Sequence, residues 1–324
     1  MIFKEETIFD DELNEISCFK CNKDLEKSAE YKNYKICTYC NFHFHMSARE
    51  RINSIADKGT FAEIFNKITT SYEEIAEEEI ESYDKKIKTD QSRTGLNEAV
   101  LCGTAKIGNQ EAIIIALDFG FLGGSMGLIV GEKIALSLEM ATKKKLPVIT
   151  LINSGGSRIQ EGVMSLMQMS KTVAAVNNLK NSNQPLISIL SNPSTGQAMA
   201  SFATLSDIII AEPGAHIGYS PYRKLKEITG NIESEKYLSE DFLNSGFIDN
   251  IISRNDLKFE LTTLLSVLKP TFTLKKKKAN KITSKIDYKD ITAWNSVQLS
   301  RKIKRPKSID YISRIFNEFI ELSG

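Results

Sequence analysis

Histidine is scarce in this chain: there are three in 324 residues, and only His216 falls in the stretch that reads as the main domain. Chemistry built on an imidazole base is therefore poorly supplied. A His-Glu-x-x-His metal site and a paired-carboxylate signature are also missing. No apolar run approaches the roughly 20 residues that a membrane span needs. The opening Met1-Ile2-Phe3-Lys4-Glu5-Glu6 has neither the basic-then-apolar layout of a signal peptide nor the Arg-rich form of a transit peptide. The expectation is a cytoplasmic protein with no membrane partner. One-sided charge is lacking too, since 42 basic and 41 acidic residues leave +1. Bulk electrostatics gives no pull toward nucleic acid. No internal repeat is found.

What the chain does carry begins with cysteine. Cys18, Cys21, Cys37 and Cys40 stand as C-x2-C-x15-C-x2-C. Each pair reads as a tight turn that aims two thiolates at one point. Two such turns give a tetrahedral four-sulfur shell, the preference of Zn²⁺. Four sulfurs close that shell, so the expectation is one structural Zn²⁺, with iron as the alternative metal. Residues 1–46 are then a zinc ribbon, too small to fold on an apolar core of its own. His43 and His45 are surplus to four sulfurs and read as surface or packing residues.

Residues 47–95 read as helical, opened by the capping-box pattern Ser47-Ala48-Arg49-Glu50. An acidic stretch from Glu73 to Glu81 reads as a solvated face. From Val100 to about Ile252 apolar runs alternate with helical segments. Ala112–Leu117, Leu146–Ile152, Pro185–Leu190 and Ser206–Ala211 read as buried strands; 129–143, 159–179 and 197–205 read as helices. This alternation predicts an α/β domain over 47–269 with much parallel pairing. Residues 270–289, which hold the run Lys275 to Lys278, read as a basic linker. Residues 290–324 read as a helical tail, with Ile312, Ile315, Phe316, Phe319 and Ile320 on one face.

Three glycine-bearing turns follow successive predicted strands: Gly123-Gly124-Ser125-Met126-Gly127, Ser154-Gly155-Gly156-Ser157-Arg158, and Pro193-Ser194-Thr195-Gly196. The first opens a helix, where free N–H groups and the dipole favour anions. It is not a Walker A loop, because no Gly-Lys-Ser/Thr follows. Paired glycines let two N–H groups point at one oxygen, as an oxyanion such as a thioester enolate requires. Any one turn is explained as well by tight turn geometry. Three in succession point to a site that works through backbone donors.

Several runs resemble one family. They are the ribbon, Phe121–Gly127, Ser154–Gly162, Met164–Met169, Ala200–Ala203 and Ile210–Pro213. The family is the β subunit of bacterial and plastid acetyl-CoA carboxylase carboxyltransferase, over about residues 17–254. The resemblance implies a crotonase-type ββα superhelix. It implies transfer of CO₂ from carboxybiotin, held on a separate carrier protein, to acetyl-CoA, giving malonyl-CoA. Backbone N–H groups would stabilise the oxyanions, with no side-chain base. The implied partners are an α-type subunit, biotin carboxyl carrier protein and biotin carboxylase, in an (αβ)₂ heterotetramer. A second resemblance, carried by Ala293–Arg301, Arg305–Ile312 and Phe319–Leu322, is to the opening of the α subunit.

On this reading Gly155, Gly156, Thr195 and Gly196 orient reacting oxygens. Gly123, Gly124, Ser125 and Gly127 shape the CoA and biotin channel. Arg158 and Arg223 contact phosphate or carboxylate, although Arg158 reads equally as a structural salt-bridge partner. Two positions depart from the family pattern: Gln197 stands where a second glycine is usual, and Pro221 falls in the Gly218–Lys224 run. They keep open a specialised paralogue using another acyl-CoA, or a non-catalytic assembly subunit. Lys20, Lys23, Lys27, Lys32 and Lys35 leave nucleic-acid binding by the ribbon as a side activity.

Overall fold

Aliphatic runs dictate the centre of the molecule. The computed structural model describes residues 17–69, 77–220, 237–268, 292–316 and 319–322. An 8-stranded sheet carries the order β1-β2-β3-β4-β5-β6-β8, with β7 paired to β5. Its strands are β1 (Ala62–Ile64), β2 (Val100–Ile107), β3 (Gln110–Leu117), β4 (Val148–Ser154), β5 (Leu186–Thr195), β6 (Ile208–Ala211), β7 (Ile217–Gly218) and β8 (Asn250–Ile251). β1, β2 and β3 pair antiparallel; from β3 to β6 and on to β8 the pairing is parallel. β4, β6 and the first six residues of β5 are buried on both faces, which is why they read as aliphatic runs.

In chain order the helices are α1 (Ala29–Tyr34), α2 (Ala48–Ile55), α3 (Glu77–Thr94), α4 (Leu128–Lys144), α5 (Gly162–Asn181), α6 (Ser239–Asn244), α7 (Leu257–Val267), α8 (Ala293–Ser300) and α9 (Ser308–Ile315). α2, α4 and α7 pack on the sheet, whereas α8 and α9 bury no residue. α4 and α5 approach so closely that a Cβ on Gly131 would collide with the Gln168 side chain. The expected capping box forms: the Ser47 Oγ accepts from the Glu50 N–H, and Glu50 accepts from the Ser47 N–H.

The structure corrects the reading of 47–95 as helical throughout. α2 stops at Ile55 because Asp57 leaves to accept hydrogen bonds from the Gly108 and Asn109 N–H groups of the β2–β3 turn. The chain then runs as β1 along the β2 edge, where Gly103 leaves room for the Phe61 ring. The segment 159–179 is also divided: a short turn at Ile159–Glu161 gives way to α5 at Gly162, whose φ is +53°. The tail is two helices rather than one, parted near Pro306. Of its predicted apolar face, Ile320 packs against the core, while Ile315, Phe316 and Phe319 are exposed. The linker at 270–289 and residues 73–76 of the acidic stretch lie outside the described residues.

Candidate functional site

The four cysteines come together. Their sulfurs all lie within 4.8 Å of one another, with Cys18 and Cys40 at 3.7 Å and Cys21 and Cys37 at 3.6 Å. A tetrahedral four-thiolate shell with metal–sulfur bonds of about 2.3 Å has sulfur–sulfur edges of about 3.8 Å. The donor set therefore fits one ion with little movement. Two equivalent turns build it: Asn22 N–H donates to Cys18 O and Asn41 N–H to Cys37 O, with both asparagines left-handed at φ +55°. Around the cysteines, Phe19, Phe42, Phe44 and Tyr31 pack edge to face at 4.7–5.4 Å.

A buried arginine fastens this module to the sheet. Arg254 pairs bidentately with Glu212, at 3.0 and 2.6 Å, and its Nη1 donates to Tyr34 O and Phe44 O of the ribbon. Arg51 approaches the same carboxylate at 3.7 Å. Burial alone would raise the pKa of Glu212, but the charges of Arg254 and Arg51 hold it at about 2. His43, expected at the surface or in packing, is buried and hydrogen-bonded to Ser253 at 3.2 Å.

The three glycine turns also converge. Gly155 N–H donates to Gly123 O at 2.8 Å, Met126 N–H to Gly156 O at 2.8 Å, and Arg158 N–H to Met126 O at 2.9 Å. The first two turns are thus zipped together. The third abuts the second: a Cβ on Gly196, whose φ is +66°, would lie 2.8 Å from Gly156 Cα. Gly155, Gly123, Ser125 and Ser157 keep partial exposure, whereas Gly156, Thr195 and Gly196 are buried.

Several expected donors prove to be engaged within the chain. Gly155 N–H has Gly123 O, Gly156 N–H has Ser154 Oγ at 3.2 Å, and Gly196 N–H has Gly218 O at 2.9 Å. The anion expected at the start of α4 is internal: Glu161 accepts from Leu128 N–H, and a Cβ on Gly127 would collide with that carboxylate. Gly127 is bare so that Glu161 can reach the helix end.

Arg158 takes the salt-bridge alternative. It is 1% exposed and pairs bidentately with Glu98 at 2.6 and 2.8 Å; Glu161 lies at 3.4 Å. Its Nε and Nη2 donate to Ser125 Oγ and Ser125 O. Burial alone would lower its pKa, but the Glu98 charge raises it above the ordinary value. Burial also raises the pKa of Tyr83, whose hydroxyl donates to Glu161 at 2.6 Å. The expectation that the chain holds no Gly-x-Ser-x-Gly signature is corrected here, because Gly123-x-Ser125-x-Gly127 has the spacing of a nucleophile elbow. Ser125 Oγ nevertheless faces a guanidinium, which has no acceptor and cannot be its base. Arg223 and Pro221 lie outside the described residues. Glu98, Ser165 and the inward role of Gln197 escaped sequence reading. Glu98 is 60 residues from Arg158 and carries no local signal.

Comparison with known proteins follows the same geography. A carboxyl transferase domain family matches residues 45–249, and an acetyl co-enzyme A carboxylase carboxyltransferase-like family matches 260–324. The acetyl-coenzyme A carboxylase carboxyl transferase subunit beta of Clostridium kluyveri is 42% identical over 253 residues, 78% of this chain and 86% of that protein. The fused beta/alpha subunits of Natranaerobius thermophilus are 39% identical over 95% of this chain. The chain spans about half, 53%, of that relative's length. Among solved structures, transcarboxylase 12S with methylmalonyl-coenzyme A bound superposes with a TM-score of 0.58 at 26% identity, covering 68% of this chain and 41% of that one. A Pseudomonas malonate decarboxylase hetero-dimer gives 0.54 at 21% identity, over 68% of this chain and 86% of that one, a likeness of fold.

Proposed function

The chain belongs to the carboxyl transferase family, and from that premise we propose that it is the β-type carboxyltransferase subunit of an acetyl-CoA carboxylase, serving fatty-acid synthesis. It would move CO₂ from carboxybiotin on a carrier protein to acetyl-CoA, giving malonyl-CoA. The observation that carries this reading is the meeting of three glycine turns at one partly exposed place. Biotin, on its carrier, supplies the activated carboxyl group. The chain's own residues bind, orient and exclude water. Gly123, Ser125 and Gly155 form the open rim against which acyl-CoA lies. Gly156 and Gly196 permit the close approach of the turns. The donors to oxyanions are first-turn amides after Gly196, at Gln197 and Ala198, which precede any intrahelical acceptor.

A roof for this rim is supplied by a partner. Ile159, Val163, Leu166 and Met167, 54–82% exposed, continue from the second turn along the outer face of α5. Exposed apolar rows of this kind mark interaction surfaces. In this reading the occupant is an α-type subunit, in an (αβ)₂ assembly that also receives the biotin carboxyl carrier protein and biotin carboxylase. The metal is Zn²⁺, for which the sulfur spacing fits and the shell is closed; its role is structural.

The test is malonyl-CoA formation from acetyl-CoA and carboxybiotin by the complex with its α-type chain. Turnover that requires both chains is expected. No turnover with acetyl-CoA or any of several other acyl-CoAs would sink the enzyme reading and leave an assembly subunit. Turnover with another acyl-CoA alone would identify a specialised paralogue.

A further inference from the structure

Gln197, which stands where the family pattern has a second glycine, is 3% exposed and turned inward. Its Nε2 donates to Ser165 O at 2.5 Å, and its Oε1 lies 3.3 Å from Ser165 Oγ. Ser165, 1% exposed in the first turn of α5, is itself a junction. Its Oγ donates to Met126 O at 2.7 Å and accepts from Arg158 N–H at 3.0 Å. Met126 belongs to the first glycine turn, Arg158 to the second, and Gln197 directly follows Gly196 of the third. One buried serine therefore touches all three. Ser201 Oγ then donates to Gln197 O at 2.7 Å, holding the helical turn that follows.

We propose that Ser165 and Gln197 form a latch that sets the spacing of the three glycine turns, and that both are positioning residues for carboxyl transfer. The proposal rests on the carboxyltransferase reading above. A glycine at 197 would leave Ser165 O and Oγ with one fewer partner and the third turn held by backbone alone. Here the chain adds a side-chain amide whose donor and acceptor both meet Ser165. The Nε2 donor has a short bond to Ser165 O, and Oε1 is the longer arm of a shared Ser165 hydroxyl proton whose shorter arm goes to Met126 O, so the amide is tied to the serine at both ends. Preorganisation of this kind acts on the reacting geometry more than on ground-state binding, because a misplacement of about 1 Å can cost 100-fold in rate.

The experiment uses the complex with the α-type chain and the variants Gln197→Ala, Gln197→Glu, Ser165→Ala and the double Ser165→Ala/Gln197→Ala. Expected in Gln197→Ala is a fall in kcat of about tenfold or more with KM for acyl-CoA within about twofold. The double variant should be no worse than the poorer single, since each breaks the same latch. Gln197→Glu loses the Nε2 donor when ionised and regains an O–H donor when protonated. Its kcat, relative to wild type, should therefore rise as pH falls. Multiplicative losses in the double, a raised KM at unchanged kcat, or a flat pH ratio would overturn the proposal. A second readout needs no turnover. Amide exchange in Gln197→Ala should quicken at 123–128 and 155–158 as well as at 196–203. Acceleration confined to 196–203 would overturn the latch even if the complex proved inactive, and that inactivity would by itself count only against the underlying reading.

Discussion

Arg158 and Arg254 are built alike and hold different things. Each is buried, and each grips one carboxylate bidentately, Glu98 and Glu212 respectively. Arg158 spends its other donors on Ser125 and Tyr83, within the turn cluster. Arg254 reaches instead to backbone oxygens of the ribbon. The charge balance is opposite. At the turns one cation faces Glu98 and Glu161; at the ribbon seam two cations, Arg254 and Arg51, face Glu212. Among the described residues the Nη1 and Nη2 atoms of Arg51 have no hydrogen-bond partner. The turn cluster is therefore most exposed to loss of its arginine, and the seam to loss of its one glutamate. Similar ion pairs thus fail differently according to what surrounds them.

The largest expected effect separates the two regions outright. Stripping the metal with a chelator removes an interaction worth about 10 kcal/mol or more in small zinc modules. Amides of residues 17–46 should then exchange freely, while those at 123–127 and 155–158 keep their protection. Loss at both places would show that the ribbon and the turns are one cooperative unit. Next in size, Glu212→Ala and Glu98→Ala should each destabilise by about 3–5 kcal/mol, because each strands buried charge. Urea unfolding should place Glu212→Ala lower, since two cations lose their partner there. The reverse order would break the asymmetry. The smallest effect is acid sensitivity. Against the upward push of burial, the Arg254 and Arg51 guanidiniums hold the Glu212 carboxyl at about 2, well below the usual carboxylate range. Its contribution is present in full above the unfolded value and is lost as pH falls through the folded one. Unfolding midpoints should drop between about pH 4.5 and 2, less steeply in Glu212→Gln.

The parallel strands and the ribbon were legible because each carries a local signal: four aliphatic runs in one case, cysteine spacing in the other. β1 and β2 were not foreseen. β1 is short and exposed, and its place depends on Asp57 binding a turn some 50 residues away. Within the site, the glycines were visible but their reasons were not. Gly127 is bare for Glu161, Gly124 for the Asn153 carbonyl, and Gly196 for Gly156. Only the three-dimensional neighbour distinguishes a glycine that offers its amide from one that makes room. Arg158 illustrates the same limit, since its partner Glu98 lies in another element with no motif around it.

The Arg254 clasp has a consequence in time. Tyr34, whose carbonyl it holds, precedes it by 220 residues. At synthesis rates of about 5–20 residues per second, the ribbon emerges roughly 10–45 s before the residue that will anchor it. Through that interval it stands alone, with a handful of aromatic rings and no sheet to lean on. A module that must wait so long for its seat has to be self-sufficient. The four cysteines meet that need, because a bound ion can hold the newborn ribbon folded until the rest of the chain arrives.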